Sequence, residues 1–238
     1  MRPKDRICVA LDVEDKVAAR RFVDLLKADV GMFKIGLQLF TKEGPGFVEE
    51  LTGSGAKVFL DLKLHDIPNT VLSAAKNFVR MGIFMFNIHA FGGKDMMIAT
   101  AEAVTEEALR LGVAKPVMLA VTVLTSLDDS ILKDELGVTR PMMDEVEWLA
   151  RLSKEAGADG VVASPKETKI IKTACGKDFI VLTPGIRPAG TSMGDQKRVT
   201  TPREALDAGS DYIVIGRPII EAKDPLKAVK KIVAEMET

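Results

Sequence analysis

At 238 residues the chain is long for an ordinary single domain, and its 47% hydrophobic content supplies a sizeable core. Its 33 basic and 34 acidic side chains nearly cancel to a net charge of −1, which excludes a global drive toward nucleic acid or anionic membrane and makes any anion site local. One Trp and one Tyr leave little aromatic surface for stacking bases, and two Cys with two His support neither a disulfide framework nor a His-rich metal site.

In chain order, the N-terminus leads into a short apolar run, residues 7–11, which contains Cys8 as a buried strand residue and ends on Asp12. That run is too short for a signal-peptide core or a spanning helix, so the sequence predicts a cytoplasmic protein. Residues 16–26 have helical spacing. Residues 32–35 form the next β-rich run and enclose Lys34, within Phe33-Lys34-Ile35-Gly36. A helix is predicted over 42–51, a strand over 58–62 and a helix over 70–81. Strands at 84–88 and 117–123 flank a helix at 96–111. Helices at 144–156, 168–173, 202–208 and 225–236 alternate with strands at 160–163, 179–182 and 212–215.

Eight such units, each about thirty residues long, predict a single-domain (β/α)8 barrel over residues 1–238. Gly marks the helix-to-strand returns at positions 31, 55, 82, 112, 157, 176 and 209, as suits the left-handed position after a helix. The runs Ala156-Gly157-Ala158-Asp159-Gly160 and Ala208-Gly209-Ser210-Asp211-Tyr212 form a weak internal repeat. The connection 125–141 is longer than usual and leaves room for an extra helix. No linker or charge block divides the chain.

The densest chemistry lies in Phe59-Leu60-Asp61-Leu62-Lys63-Leu64-His65-Asp66-Ile67-Pro68-Asn69-Thr70. In a strand, Val58, Leu60 and Leu62 share one face, and Phe59, Asp61 and Lys63 share the other. Ile67-Pro68 stops the strand, and Asp66 follows just past its end. Burying these charges is expensive unless they are paired or used, so they are either a structural ion pair or an active site.

Barrel chemistry gathers at the carboxyl ends of strands. Asp12, Lys34, Asp61, Lys63, Asp66, Thr125 and Ser126 all fall there. Asp12 either serves the site or caps the following helix. Thr125-Ser126 either serves the site or starts a turn. Lys34 has neighbours that suggest a buried strand rather than a surface position. The loops after strands seven and eight, Thr183-Pro184-Gly185-Ile186-Arg187 and Gly216-Arg217-Pro218-Ile219, occupy the common phosphate location of such barrels, where Gly216 and Pro218 either expose N–H donors or merely shape a turn. Residues 189–198, with Gly190, Thr191, Ser192, Gly194, Asp195 and Gln196, are either a lid or an ordinary solvated loop. His65 and His89 are not read as catalytic, and no Ser-His-Asp, dinucleotide or Walker pattern is present.

Taken together, these motifs resemble the bacterial-type orotidine 5′-phosphate decarboxylase family. The resemblance rests on Asp61-x-Lys63-x-x-Asp66 extended by Ile67-Pro68-Asn69-Thr70. Val9-Ala10-Leu11-Asp12, Lys34-Ile35-Gly36, Leu124-Thr125-Ser126, Thr183–Arg187 and Ile215–Pro218 fall in the expected order around it. It spans essentially the whole chain. It implies decarboxylation of orotidine 5′-phosphate to UMP and carbon dioxide, with no metal or organic cofactor. It implies catalytic roles for Lys34, Asp61, Lys63 and Asp66, with Lys63 protonating C6. By the same resemblance Asp12 and Lys34 hold the ribose, Ser126 the pyrimidine, and Gln196, Arg187 and Arg217, with the Gly216 amide, the phosphate, Gln196 also reaching the base; Thr125 and Pro184 are further substrate-binding residues. Asp66 and Thr70 complete the neighbour's site in a homodimer. Related barrels with the same Asp-x-Lys-x-x-Asp core use magnesium and typically carry an acidic residue where this chain has Lys34. A non-catalytic phosphate-binding barrel would require loss of one of the core charges.

Overall fold

Residues 1–188 and 200–237 are described by the structure, a computed structural model. Eight parallel strands run in sequence: β1 (Ile7–Ala10), β2 (Met32–Gly36), β3 (Val58–Leu64), β4 (Met85–His89), β5 (Val117–Val121), β6 (Gly160–Val162), β7 (Ile180–Thr183) and β8 (Tyr212–Ile215). Each pairs with the next, and β1 closes onto β8 to form one barrel. The helices that follow the strands are α1 (Lys16–Leu26), α2 (Leu37–Gly53), α3 (Pro68–Arg80), α4 (Lys94–Leu111), α5 (Met142–Glu155), α6 (Thr168–Cys175), α7 (Pro202–Asp207), α8 (Arg217–Ile220) and α9 (Pro225–Glu237). The barrel expected from the alternation is therefore the observed architecture.

Period-two alternation divides the core into two regions. Outward-facing Ile7, Val9, Phe33, Ile35, Val58, Leu60, Phe86 and Ile88 pack beneath the helices. Inward-facing Cys8, Ala10, Met32, Phe59, Met85, Leu119, Val121, Val162, Leu182, Tyr212 and Val214 fill the barrel. Along β2, β3 and β4 the next inward positions toward the carboxyl end are Lys34, Asp61 and Asn87. An apolar plug thus supports a polar layer at one mouth of the barrel.

Three local readings are refined. The helix expected over 42–51 begins at Leu37, because two helical segments meet at Gly44, where φ is 71° and Pro45 follows. The room predicted for an extra helix within 125–141 holds a short π-helical turn, Ile131–Glu135, anchored by buried Leu132. The strand predicted over 58–62 continues to Leu64, and Pro68 opens α3. Among the described residues, no helix is long and apolar enough to cross a membrane.

Candidate active site

Asp61 is the hub of the polar layer. Its Oδ1 accepts hydrogen bonds from Lys63 Nζ at 2.6 Å and from Asn87 Nδ2 at 2.7 Å. Its Oδ2 lies 3.4 Å from Lys34 Nζ, and Lys34 Nζ donates in turn to Asp12 Oδ1 at 3.1 Å. Charges therefore alternate along Asp12, Lys34, Asp61 and Lys63. Exposure rises toward the ends of this chain of charges: the Lys34 and Asp61 side chains are 12% and 14% exposed, those of Lys63 and Asp12 33% and 52%. Lys34 is therefore a buried strand residue, not a surface one. The helix-capping alternative for Asp12 is ruled out, because Asp15 caps α1 by accepting from the Ala18 N–H at 2.9 Å.

Electrostatics sustain the array in its charged form. Burial alone would raise the Asp61 carboxyl, but Lys34 and Lys63, with hydrogen bonds from Lys63 and Asn87, hold it below the usual carboxylate range. Burial likewise opposes the charge on Lys34, and Asp61 with Asp12 outweighs it and raises the ammonium above its ordinary value.

The regular alternation expected along β3 is interrupted. Leu60 pairs with Phe86 and Leu64 with Ile88, so four steps on β3 oppose two on β4. Within this bulge Lys63 adopts φ of 52°, alone among the described non-glycine residues in having positive φ. Its N–H is taken up by Asn87 Oδ1 at 2.8 Å. Buried Asn87 thus fixes both the carboxylate of Asp61 and the backbone of Lys63. Sequence reasoning missed it: a neutral amide in Met85-Phe86-Asn87-Ile88-His89 has no charge to draw the eye, although its inward parity with Met85 places it in the polar layer.

A cavity of about 170 Å³ opens at this mouth of the barrel. Phe59, Val121, Val162, Leu182 and Val214 give it an apolar lining, and Lys34, Asp61 and Lys63 charge one side. Thr125 and Pro184 also line it. Thr125-Ser126 does form a turn, closed by the Leu127 N–H on Leu124 O at 2.9 Å, with Ser126 exposed outside the cavity lining. Gly216 follows β8 beside β1, where a Cβ would stand 3.4 Å from Ala10 Cβ and 3.8 Å from Asp12 Oδ2. Arg217 opens α8 directly after it. Arg187 is buried, and its N–H bonds Thr200 O at 3.0 Å. Gln196 and the whole of the predicted 189–198 lid fall outside the described residues.

Asp66 and Thr70 stand apart from the array. Both are exposed, and Asp66 Oδ1 accepts from the Ile67 N–H. His65 stacks on His89 at 5.3 Å between ring centroids. Burial, followed by the influence of His65 and Lys63, holds His89 at a pKa of about 4. A larger recess of about 370 Å³ lies at the opposite end of the barrel, where three of the lining cations are held by other lining residues: Arg2 by Asp5, Lys4 by Ala28 O, and Lys57 over the Phe84 ring. Among the described residues, no group of three or more His, Cys, Asp or Glu is placed to hold a metal ion.

The sequence profile of the Orotidine 5'-phosphate decarboxylase / HUMPS family matches residues 5–232. The chain is 53% identical over 237 residues to orotidine 5'-phosphate decarboxylase of Moorella thermoacetica, covering all of this chain (100%) and 94% of that protein. It is 49% identical over 239 residues to the enzyme of that name from Syntrophomonas wolfei, with 100% of both covered. The crystal structure of orotidine 5'-phosphate decarboxylase from Lactobacillus acidophilus superposes with a TM-score of 0.87 at 39% identity, covering 98% of this chain and 99% of that one. Kinship that runs from the first strand of the barrel to its last helix places the chain in one group: it belongs to the Orotidine 5'-phosphate decarboxylase / HUMPS family.

Proposed function

We propose that the chain decarboxylates orotidine 5′-phosphate to UMP and carbon dioxide, the last step of de novo UMP synthesis, without a metal or organic cofactor. One observation carries this reading: an ammonium, Lys63 Nζ, bonded at 2.6 Å to a largely buried carboxylate, stands beside an apolar cavity. When the bond from C6 to the carboxylate breaks, its electron pair stays on C6 and neutral carbon dioxide leaves. The Lys63 ammonium offsets the developing negative charge and gives C6 a proton. Asp61 and Asn87 aim Lys63 through hydrogen bonds to its ammonium and its backbone N–H, and donors fixed in this way stabilise developing charge with little reorganisation.

Asp12 and Lys34 are assigned to the ribose hydroxyls, and Thr125 and Ser126 to the pyrimidine end. Arg187, Arg217 and the Gly216 amide are assigned to the phosphate, with Gln196 from the connection between β7 and α7 also reaching the base, and Pro184 to the substrate site without a finer role. Phosphate binding far from C6 supplies energy that can be spent on closing and drying the site. Asp66 and Thr70 are assigned to the site of a second copy in a homodimer. Their exposure in the single chain, beside Ile67 at 67% exposure, supports that assignment.

The test is to incubate the purified protein with orotidine 5′-phosphate and EDTA and follow substrate absorbance. Rapid loss is expected. No turnover, with magnesium restoring chemistry on a sugar phosphate, would move the chain to the metal-dependent branch of its family.

A further inference from the structure

Gly36 ends β2, pairs with Asp61 in the ladder and stands at the N-cap of α2. Its backbone, at φ −93° and ψ −177°, lies in the extended region open to any residue, so conformational freedom does not account for a glycine there. Space does. A Cβ at position 36 would stand 2.9 Å from Lys34 Nζ and 3.6 Å from Asp12 Oδ1, and away from its chain neighbours it would meet nothing else within 4 Å. The first distance is too short for real carbon, so something must move. The atom in the way is the tip of a flexible side chain, and the fold can yield by displacing it. That tip is the ammonium bridging Asp12 at 3.1 Å and Asp61 at 3.4 Å.

We propose that Gly36 is a positioning residue for Lys34: its missing side chain is the slot that lets the ammonium sit between the two carboxylates. The inference rests on the reading of Lys34 and Asp61 as part of the active site. Gly44 is the opposite case, with φ of 71° and open space around a Cβ, and there the backbone alone calls for glycine.

Three variants measured side by side test this: Gly36→Ala, Gly36→Ser and Lys34→Ala. Serine is a good N-cap residue, so Gly36→Ser keeps α2 capped while still filling the slot. Both Gly36 variants are expected to fold with near-parental melting temperatures. Their kcat/KM for orotidine 5′-phosphate should fall about tenfold to a hundredfold, the scale of an ångström misplacement at a preorganised site. The acid limb of their kcat/KM–pH profile should shift to higher pH, because Asp61 loses part of the cation that holds its carboxyl down. A purely structural glycine would lower the melting temperature and leave that limb in place. Parental kcat/KM with an unmoved acid limb, alongside an impaired Lys34→Ala, overturns the positioning role. Loss of the fold in both Gly36 variants overturns it too, since the blocking atom would then not be a yielding side-chain tip. Undiminished turnover in Lys34→Ala overturns the site reading instead.

Discussion

Lys63 meets two demands at once. Its backbone is held at φ of 52°, a conformation that costs of order 1–3 kcal/mol for a residue with a Cβ, while its ammonium contacts Asp61. Asn87 reconciles them by accepting the Lys63 N–H and donating to Asp61. Lys63→Ala should fold and lose decarboxylation, because a positioned general acid contributes on the order of a hundredfold or more; turnover within about tenfold of the parent would end its role as proton donor. Asn87→Leu leaves the Lys63 N–H and one bonding site on Asp61 unmet, which costs about 1–3 kcal/mol of stability. Its activity should fall with its melting temperature, and a fully active variant would show that the bulge orients Lys63 unaided. His89 gives a pH effect of definite sign. Its native pKa of about 4 lies below the ordinary 6.5, so between these values the unfolded chain binds a proton that the native chain does not. Stability should therefore fall as pH drops across that window, and His89→Leu should flatten the dependence of melting temperature on pH there. Lys34, Asp61 and Lys63 were legible in the sequence because charges in apolar strands are anomalous, whereas Asp12, just past the end of β1, stood open between the site and a helix cap. Asn87 was not, because its importance comes from what it joins rather than from its own chemistry.

The two short repeats acquire a meaning only when the helix-to-strand returns are compared. Asp159, just before β6, accepts the Met118 N–H of β5 at 2.8 Å and also binds Lys115. Asp211, just before β8, accepts the Val181 N–H of β7 at 2.8 Å and also binds Lys172. Each carboxylate thus secures a neighbouring strand near its start, at the end of the barrel away from the charged array. Asp211→Ala should lower stability by about 1–3 kcal/mol, the scale of a buried donor left unmet, with kcat/KM unchanged. Equal losses in activity and stability would mean that the two ends of the barrel are not independent. The strands were legible from their β-branched runs and glycine punctuation to within a few residues. The front of α2 was not, since the short segment before Gly44 is brief for a periodicity to emerge. The bulge in β3 was also hidden, because alternation in one strand says nothing about its register with the next.

At the scale of the whole molecule, four of the exposed large apolar side chains stand at the mouth that carries the array. Leu37 follows β2, Ile67 β3, Phe91 β4 and Leu124 β5, and all are exposed although large and apolar. With Asp66 and Thr70 among them, this rim suits the second copy invoked for the complete site. Lys63→Ala and Asp66→Asn proteins should each be nearly inactive alone. Mixed and allowed to exchange, they should regain activity through hybrid dimers that hold one intact site. Demonstrated exchange without recovery would confine the site to one chain. A shared site was suggested by family resemblance alone, because an interface between copies leaves no periodicity in a single sequence.

Closure of the barrel sets an order of events during synthesis. Ile7 of β1 pairs with Ile213 of β8, so the first strand cannot complete its hydrogen bonding until more than 200 further residues have been made. At roughly 5–20 residues per second, that wait is on the order of ten seconds or longer. Throughout it, β1 presents an open edge on a nascent chain that already carries the apolar outer faces of the first strands. The eight strands of the closed barrel leave no free edge among themselves, but every newly made copy passes through an interval in which a chaperone, or a neighbouring nascent chain, can reach one.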